Sequence, residues 1–93
     1  MLVDVSISPY GPTKTDQANA MRVDVGDLTL WFSYRTIVAF QAMGKPIVVR
    51  QNEWESTTGR HLNAIDGGDK ASRVSAEAFG KLLDEALSKY QSV

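Results

Sequence analysis

The sequence predicts an α+β fold: an antiparallel meander of four or five strands with one C-terminal helix packed on one face. Three observations predict it. Apolar and polar residues alternate over several short runs, turn-forming clusters separate those runs, and a helical stripe occupies residues 76–91.

Leu2 to Ile7 places Val3, Val5 and Ile7 on one face and Asp4 and Ser6 on the other, the two-residue period of a half-buried strand. Ser8-Pro9-Tyr10-Gly11-Pro12 ends it, because both prolines lack an N–H. Thr13 to Ala20 is polar, has no period, and reads as a mobile loop. Met21 to Val25 turns Val23 and Val25 inward and Arg22 and Asp24 outward. Gly26-Asp27 suits a two-residue II′ hairpin turn, which wants glycine first. In the next strand Leu28, Leu30, Phe32 and Tyr34 share a face, with Thr29, Trp31, Ser33 and Arg35 opposite.

Ile37 to Phe40 is a denser apolar run, read as a strand buried on both sides or a strand start after a bulge. Met43-Gly44-Lys45-Pro46 forms the next turn, and the β-branched run Ile47-Val48-Val49 follows. From Glu53 to Ser72 the chain reads as a long connection. Ser56-Thr57-Thr58-Gly59 and Asp66-Gly67-Gly68-Asp69 are turn clusters, with Leu62 and Ile65 as anchors through a single helical turn.

Ser75 is a suitable N-cap for the helix from about Ala76 to Gln91, and Glu77 lies where the helix dipole favours an acid. Phe79, Leu82, Leu83, Ala86, Leu87 and Tyr90 form its apolar stripe. The expected inward set is Val3, Val5, Val23, Val25, Leu28, Leu30, Phe32, Ile37, Phe40, Ile47, Val49, Phe79, Leu82, Leu83 and Leu87.

Composition bounds the chemistry. The 93 residues amount to a single small globular domain, 43% hydrophobic and 23% charged, with a formal net charge of −1. That balance argues against a nucleic-acid binder held mainly by charge. The absence of Cys removes thiolate nucleophiles, iron–sulfur clusters and Cys-based zinc sites, and one His removes multi-histidine metal sites. The N-terminus has no basic region before an apolar core, so no signal peptide is expected. The apolar run from Ile37 to Gly44 falls far short of the roughly 20 residues a membrane helix needs. The expectation is a soluble, intracellular protein of the cytoplasm.

His61, with Asp66, Asp69, Ser56, Thr57 and Thr58 nearby, carries the ingredients of a hydrolase site, but spacing along one segment does not establish a triad. Asp66-Gly67-Gly68-Asp69 lacks the alternating ligands of a calcium loop and the lysine of a phosphate loop. No catalytic residue, cofactor or metal is therefore expected, and the protein reads as a non-enzyme.

The candidate partner-binding residues are Trp31, Arg35, Trp54, Arg60, His61 and Asn63. Trp and Arg are common interface anchors, and Trp54 to Asp69 is a connection on which binding groups are favoured. Trp31 and Arg35 on one sheet face could also stack single-stranded bases. Against these readings, Trp31 suits a second apolar layer or an oligomer interface, and Trp54 and His61 suit a clasp that pins the connection to the sheet.

Leu28 to Phe40, with Tyr34-Arg35-Thr36-Ile37-Val38-Ala39-Phe40 as Y-x-T-x-V-A-F, carries a resemblance to a known family. Thr57-Thr58-Gly59-Arg60-His61-Leu62-Asn63, as T-T-G-[KR]-H-L-N after a Trp, carries it further. Over Leu28 to Leu87 the chain resembles a family of short uncharacterised phage and plasmid proteins, a domain of unknown function. The resemblance implies a mobile-element accessory protein that binds a macromolecular protein partner, an inhibitor of a host defence system such as CRISPR being one form. The alternative is a small nucleic-acid-binding module using the aromatic and arginine sheet face; a homo-oligomer is compatible with both.

Overall fold

The computed structural model describes residues 5–11, 14, 19–53 and 56–91. The alternating runs become strands β1 (Val5–Pro9), β2 (Ala20–Val25), β3 (Leu28–Ser33), β4 (Thr36–Ala42) and β5 (Val48–Val49). They form one antiparallel sheet in the order β1-β2-β3-β4-β5. Gly26 has a φ of 55° in the turn joining β2 to β3, the positive value that the first position of a II′ turn requires. Two helices follow, α1 (Ser56–Asp66) and α2 (Ala76–Gln91), separated by a 3₁₀ turn at Lys70–Ser72. Ser75 caps α2 as expected, its Oγ accepting the Ala78 N–H at 3.2 Å.

Because side chains alternate across a strand, register sorts them into two rows. Ile7, Val23, Leu30, Phe40 and Val48 lie opposite one another on one face; Ser8, Arg22, Trp31, Ala39 and Val49 do so on the other. Each face has its own core. On the first, Leu28, Phe40 and Phe79 are buried together, with Leu30, Ile37, Leu83 and Leu87 packed around them and the rings of Phe40 and Phe79 5.6 Å apart. On the second, Trp31, Val38, Ala39, Val49 and Leu62 form a cluster under α1. The pairing jumps from Trp31↔Ala39 to Phe32↔Ile37, leaving Val38 as the extra residue of a bulge, fully buried. β4 is thus buried on both sides.

Four sequence expectations are corrected. Ser56–Asp66 is an 11-residue helix, not a turn-rich connection with one helical turn. Its inward positions Thr58, His61, Leu62 and Ile65 follow i, i+3, i+4, i+7 spacing, but two of the four are polar and conceal the stripe. Val5 and Leu82 belong to the predicted inward set yet are exposed: α2 covers β3 to β5 and stops short of β1, and Phe79, Leu83, Ala86 and Leu87 take the packed positions of α2, leaving Leu82 at the border of the stripe. Tyr34 leaves the β3 face and enters the β3–β4 turn. Ala20, assigned to a loop, is a buried residue of β2. Val3 and most of Thr13 to Ala20 lie outside the described residues. Among the described residues no helix is long and apolar enough to cross a membrane.

Candidate functional site

Ser33, the last residue of β3, points to the same side of the sheet as Trp31, two positions before it, and so meets α1. Its Oγ lies 2.7 Å from Nδ1 of His61 and 3.1 Å from Oγ1 of Thr58. The rings of Tyr10 and Tyr34 close over the imidazole, with centroids 6.2 and 5.8 Å away. The Tyr10 hydroxyl donates to the Phe32 carbonyl at 2.7 Å, and burial pushes its pKa well above the ordinary tyrosine value. The burial favours the neutral hydroxyl, the form that donates this bond.

A hydroxyl 2.7 Å from an imidazole has the spacing of a nucleophile and its base. The surroundings decide against that use. Ser33 is 3% exposed and His61 0%, so no substrate carbonyl reaches either. His61 is a clasp that satisfies polar groups between helix and sheet. His61→Ala is expected to cost about 2–3 kcal/mol, through the cavity and the buried hydroxyls it strands. Arg60→Ala, one residue away on the outer side, should stay within about 0.5 kcal/mol. Urea unfolding midpoints of the two variants measure the contrast.

The outer side of α1 is different. Arg60, Asn63 and Ala64 recur at i, i+3, i+4 and, with Gly11, line an open groove. Asn63 is fixed there, its Oδ1 accepting from Nη2 of Arg73 at 2.9 Å. The β3–β4 turn reaches the same helix, since Tyr34 packs on His61, the residue after Arg60. Tyr34 has a φ of 56°, the sole positive value at a non-glycine among the described residues, and is 49% exposed. Its N–H is held by the Asn19 carbonyl at 2.7 Å, and Arg35 beside it is exposed.

Of the six candidate residues, the structure brings Arg60 and Asn63 together on the groove and sets Arg35 on the adjoining turn. His61 is core, and Trp54 lies outside the described residues. Trp31 is core too, 7% exposed under α1, with the Arg22 guanidinium 5.4 Å over its ring. Arg22 is itself engaged by Asp24 at 3.1 Å. A hydrogen bond from Thr29, then the Arg22 contact, holds the Asp24 carboxyl below its usual pKa. The Trp31–Arg35 stacking face therefore does not form, because Trp31 fills the second apolar layer instead. Sequence reasoning missed Tyr34 and Ser33. A tyrosine in a left-handed turn position has no sequence signature, and Ser33 gains meaning only when α1 lies over it. Among the described residues no group of three acidic or histidine side chains could hold a metal.

No curated protein and no solved structure matches the chain. Residues 5–81 match a family of unknown function, DUF8033, a span that takes in β1 and β2 as well as the motifs around Tyr34 and His61. The chain belongs to that family.

Proposed function

We propose that this domain is a non-enzymatic accessory protein of a phage or mobile element that binds a macromolecular protein partner in the host cytoplasm. Its contact surface is the β3–β4 turn together with the outer side of α1: Tyr34, Arg35, Arg60, Asn63 and the groove between Gly11 and Ala64. Inhibition of a host defence system such as CRISPR is the form such binding would take in that setting.

The observation that carries the reading is Tyr34. A left-handed backbone at a side chain with a Cβ costs about 1–2 kcal/mol, and Gly or Asn would relieve it. Here the strained position instead holds an aromatic residue that stays 49% exposed while its ring packs on His61, beside an exposed arginine. Strain at a surface residue points toward function, and Tyr and Arg are frequent interface anchors.

Tyr34→Asn relieves the backbone strain but gives up the ring contact on His61, so the melting temperature should shift little while partner capture weakens by about tenfold or more. The test is affinity capture from host lysate with wild type, Tyr34→Asn, Arg35→Ala and Arg60→Ala, read by mass spectrometry. A protein retained at high salt by wild type and lost by the variants supports the proposal; capture unchanged in all three variants overturns it. Retention on single-stranded nucleic acid that falls steeply with salt would move the assignment to the nucleic-acid alternative.

A further inference from the structure

The two edges of the sheet are treated differently. At β5 the outer side is closed by the chain itself: Val74 bridges Arg50 in parallel, its N–H bonds the Val49 carbonyl at 2.9 Å, and its own carbonyl takes the Gln51 N–H at 2.8 Å. Among the described residues no strand pairs with the outer side of β1. Tyr10 donates its N–H to Ala20 on β2, so alternation turns the backbone groups of Ser8 and Ser6 inward as well. Those of Val5 and Ile7 then face outward, as does the Pro9 carbonyl, and the N–H that proline lacks would also have pointed out. Pro9 at the end of β1 is one device that blunts an edge, but Val5-Ser6-Ile7-Ser8 carries neither a lysine nor an inward charge.

The side chains of the same strand agree with its backbone. Val5 and Ile7 are 59% and 64% exposed, at the uncovered end of the apolar row that runs through Val23 and Leu30 to Phe40.

We propose that β1 is a self-association edge, at which a second copy of this chain adds its own β1 antiparallel about a twofold axis at Ile7. The occupant follows from the residue pattern. With Ile7 opposite Ile7 of the second copy, Val5 faces Pro9 and Ser6 faces Ser8, so apolar residues meet on the α2 side and serines on the other. The two Ile7 residues exchange both backbone bonds, and each Val5 N–H reaches a Pro9 carbonyl. Proline stands where its missing N–H forgoes one bond per copy. The result is a continuous ten-stranded sheet.

Five-residue edges make an interface below the roughly 1,200 Å² of standard complexes, so association should be weak and concentration-dependent. Sedimentation velocity of the full chain from about 1 μM to 1 mM reads it. A shift toward twice the monomer mass is expected for wild type. Ile7→Lys sets two like charges at the axis without touching the core; it should remain monomeric throughout with an unchanged melting temperature. Ile7→Val, which keeps the apolar contact, should still dimerise. Wild type monomeric at every concentration overturns the proposal, and so does a dimer that survives Ile7→Lys. A monomeric wild type that still captures a partner would leave the α1 reading standing, so the two proposals fail separately.

Discussion

Trp31→Ala is expected to destabilise the domain by about 3–5 kcal/mol, a large part of the 5–15 kcal/mol available to a domain of ordinary stability. The ring sits at the centre of the second core, among Val38, Ala39, Val49 and Leu62, and it is what α1 rests on. Removing it opens a cavity between two layers that are also joined by the Ser33–His61–Thr58 hydrogen bonds, which hold the helix at its distance and limit collapse into the gap. Arg22 loses the ring beneath its guanidinium but keeps Asp24, so its share of the loss is small. Trp31→Phe should recover more than half of the difference. Urea midpoints with constant slope would measure this. A Trp31→Ala variant with wild-type stability would mean that the ring belongs to a working surface and not to the core.

That outcome turns on how much of the molecule is legible before folding. The β2–β3 hairpin can be read because everything it needs is local: alternation in Met21 to Val25 and Leu28 to Ser33, and a glycine where the turn needs positive φ. Helix α2 can be read for the same reason, from Ser75 and a stripe of apolar residues. Helix α1 cannot. Two of its four inward residues are Thr58 and His61, and their partner Ser33 lies 25 and 28 positions away in sequence. Polar residues are tolerated in a core only when bonded there, and the sequence does not show which distant hydroxyl will arrive.

Coverage is equally non-local. Alternation assigns Val5 and Ile7 to a face, but whether anything lies over that face depends on where α2 ends up. For the candidate surface, residue type alone nominated Arg35, Arg60 and Asn63. The same criterion also nominated Trp31 and His61, because aromatic and cationic side chains serve cores and interfaces alike. Tyr34, which carries the functional argument, was hidden by assuming that alternation continued one residue past the end of β3.

The ion pair of Asp66 and Arg73 should have an effect of similar size, and one that depends on pH. Arg73 Nε donates to Asp66 Oδ2 at 2.7 Å, while Nη2 donates to Asp66 Oδ1 and Asn63 Oδ1, each at 2.9 Å. The Gly68 N–H adds a further bond to Asp66 Oδ1 at 2.9 Å. Both side chains are nearly out of solvent, at 4% for Arg73 and 10% for Asp66. The cluster ties the end of α1 to the residue before Val74, and Val74 in turn closes the β5 edge. Arg73→Ala leaves a buried carboxylate without its cation and should cost about 3–5 kcal/mol at neutral pH. The Arg73 hydrogen bond is the chief cause that holds the Asp66 carboxyl below its usual range. The unfolded chain then binds its proton first as pH falls. The stabilisation is complete above about pH 4, the ordinary aspartate value, and is lost as pH drops through the lower folded value. Arg73→Ala removes the chief cause of that depression, so the gap between wild type and variant should narrow as unfolding is followed from pH 7 toward pH 3. Parallel curves would place the acid-sensitive charge elsewhere. Asp24 is the next carboxyl held low, but it stands too far into solvent, with 32% of its side chain exposed, to supply an effect of this size.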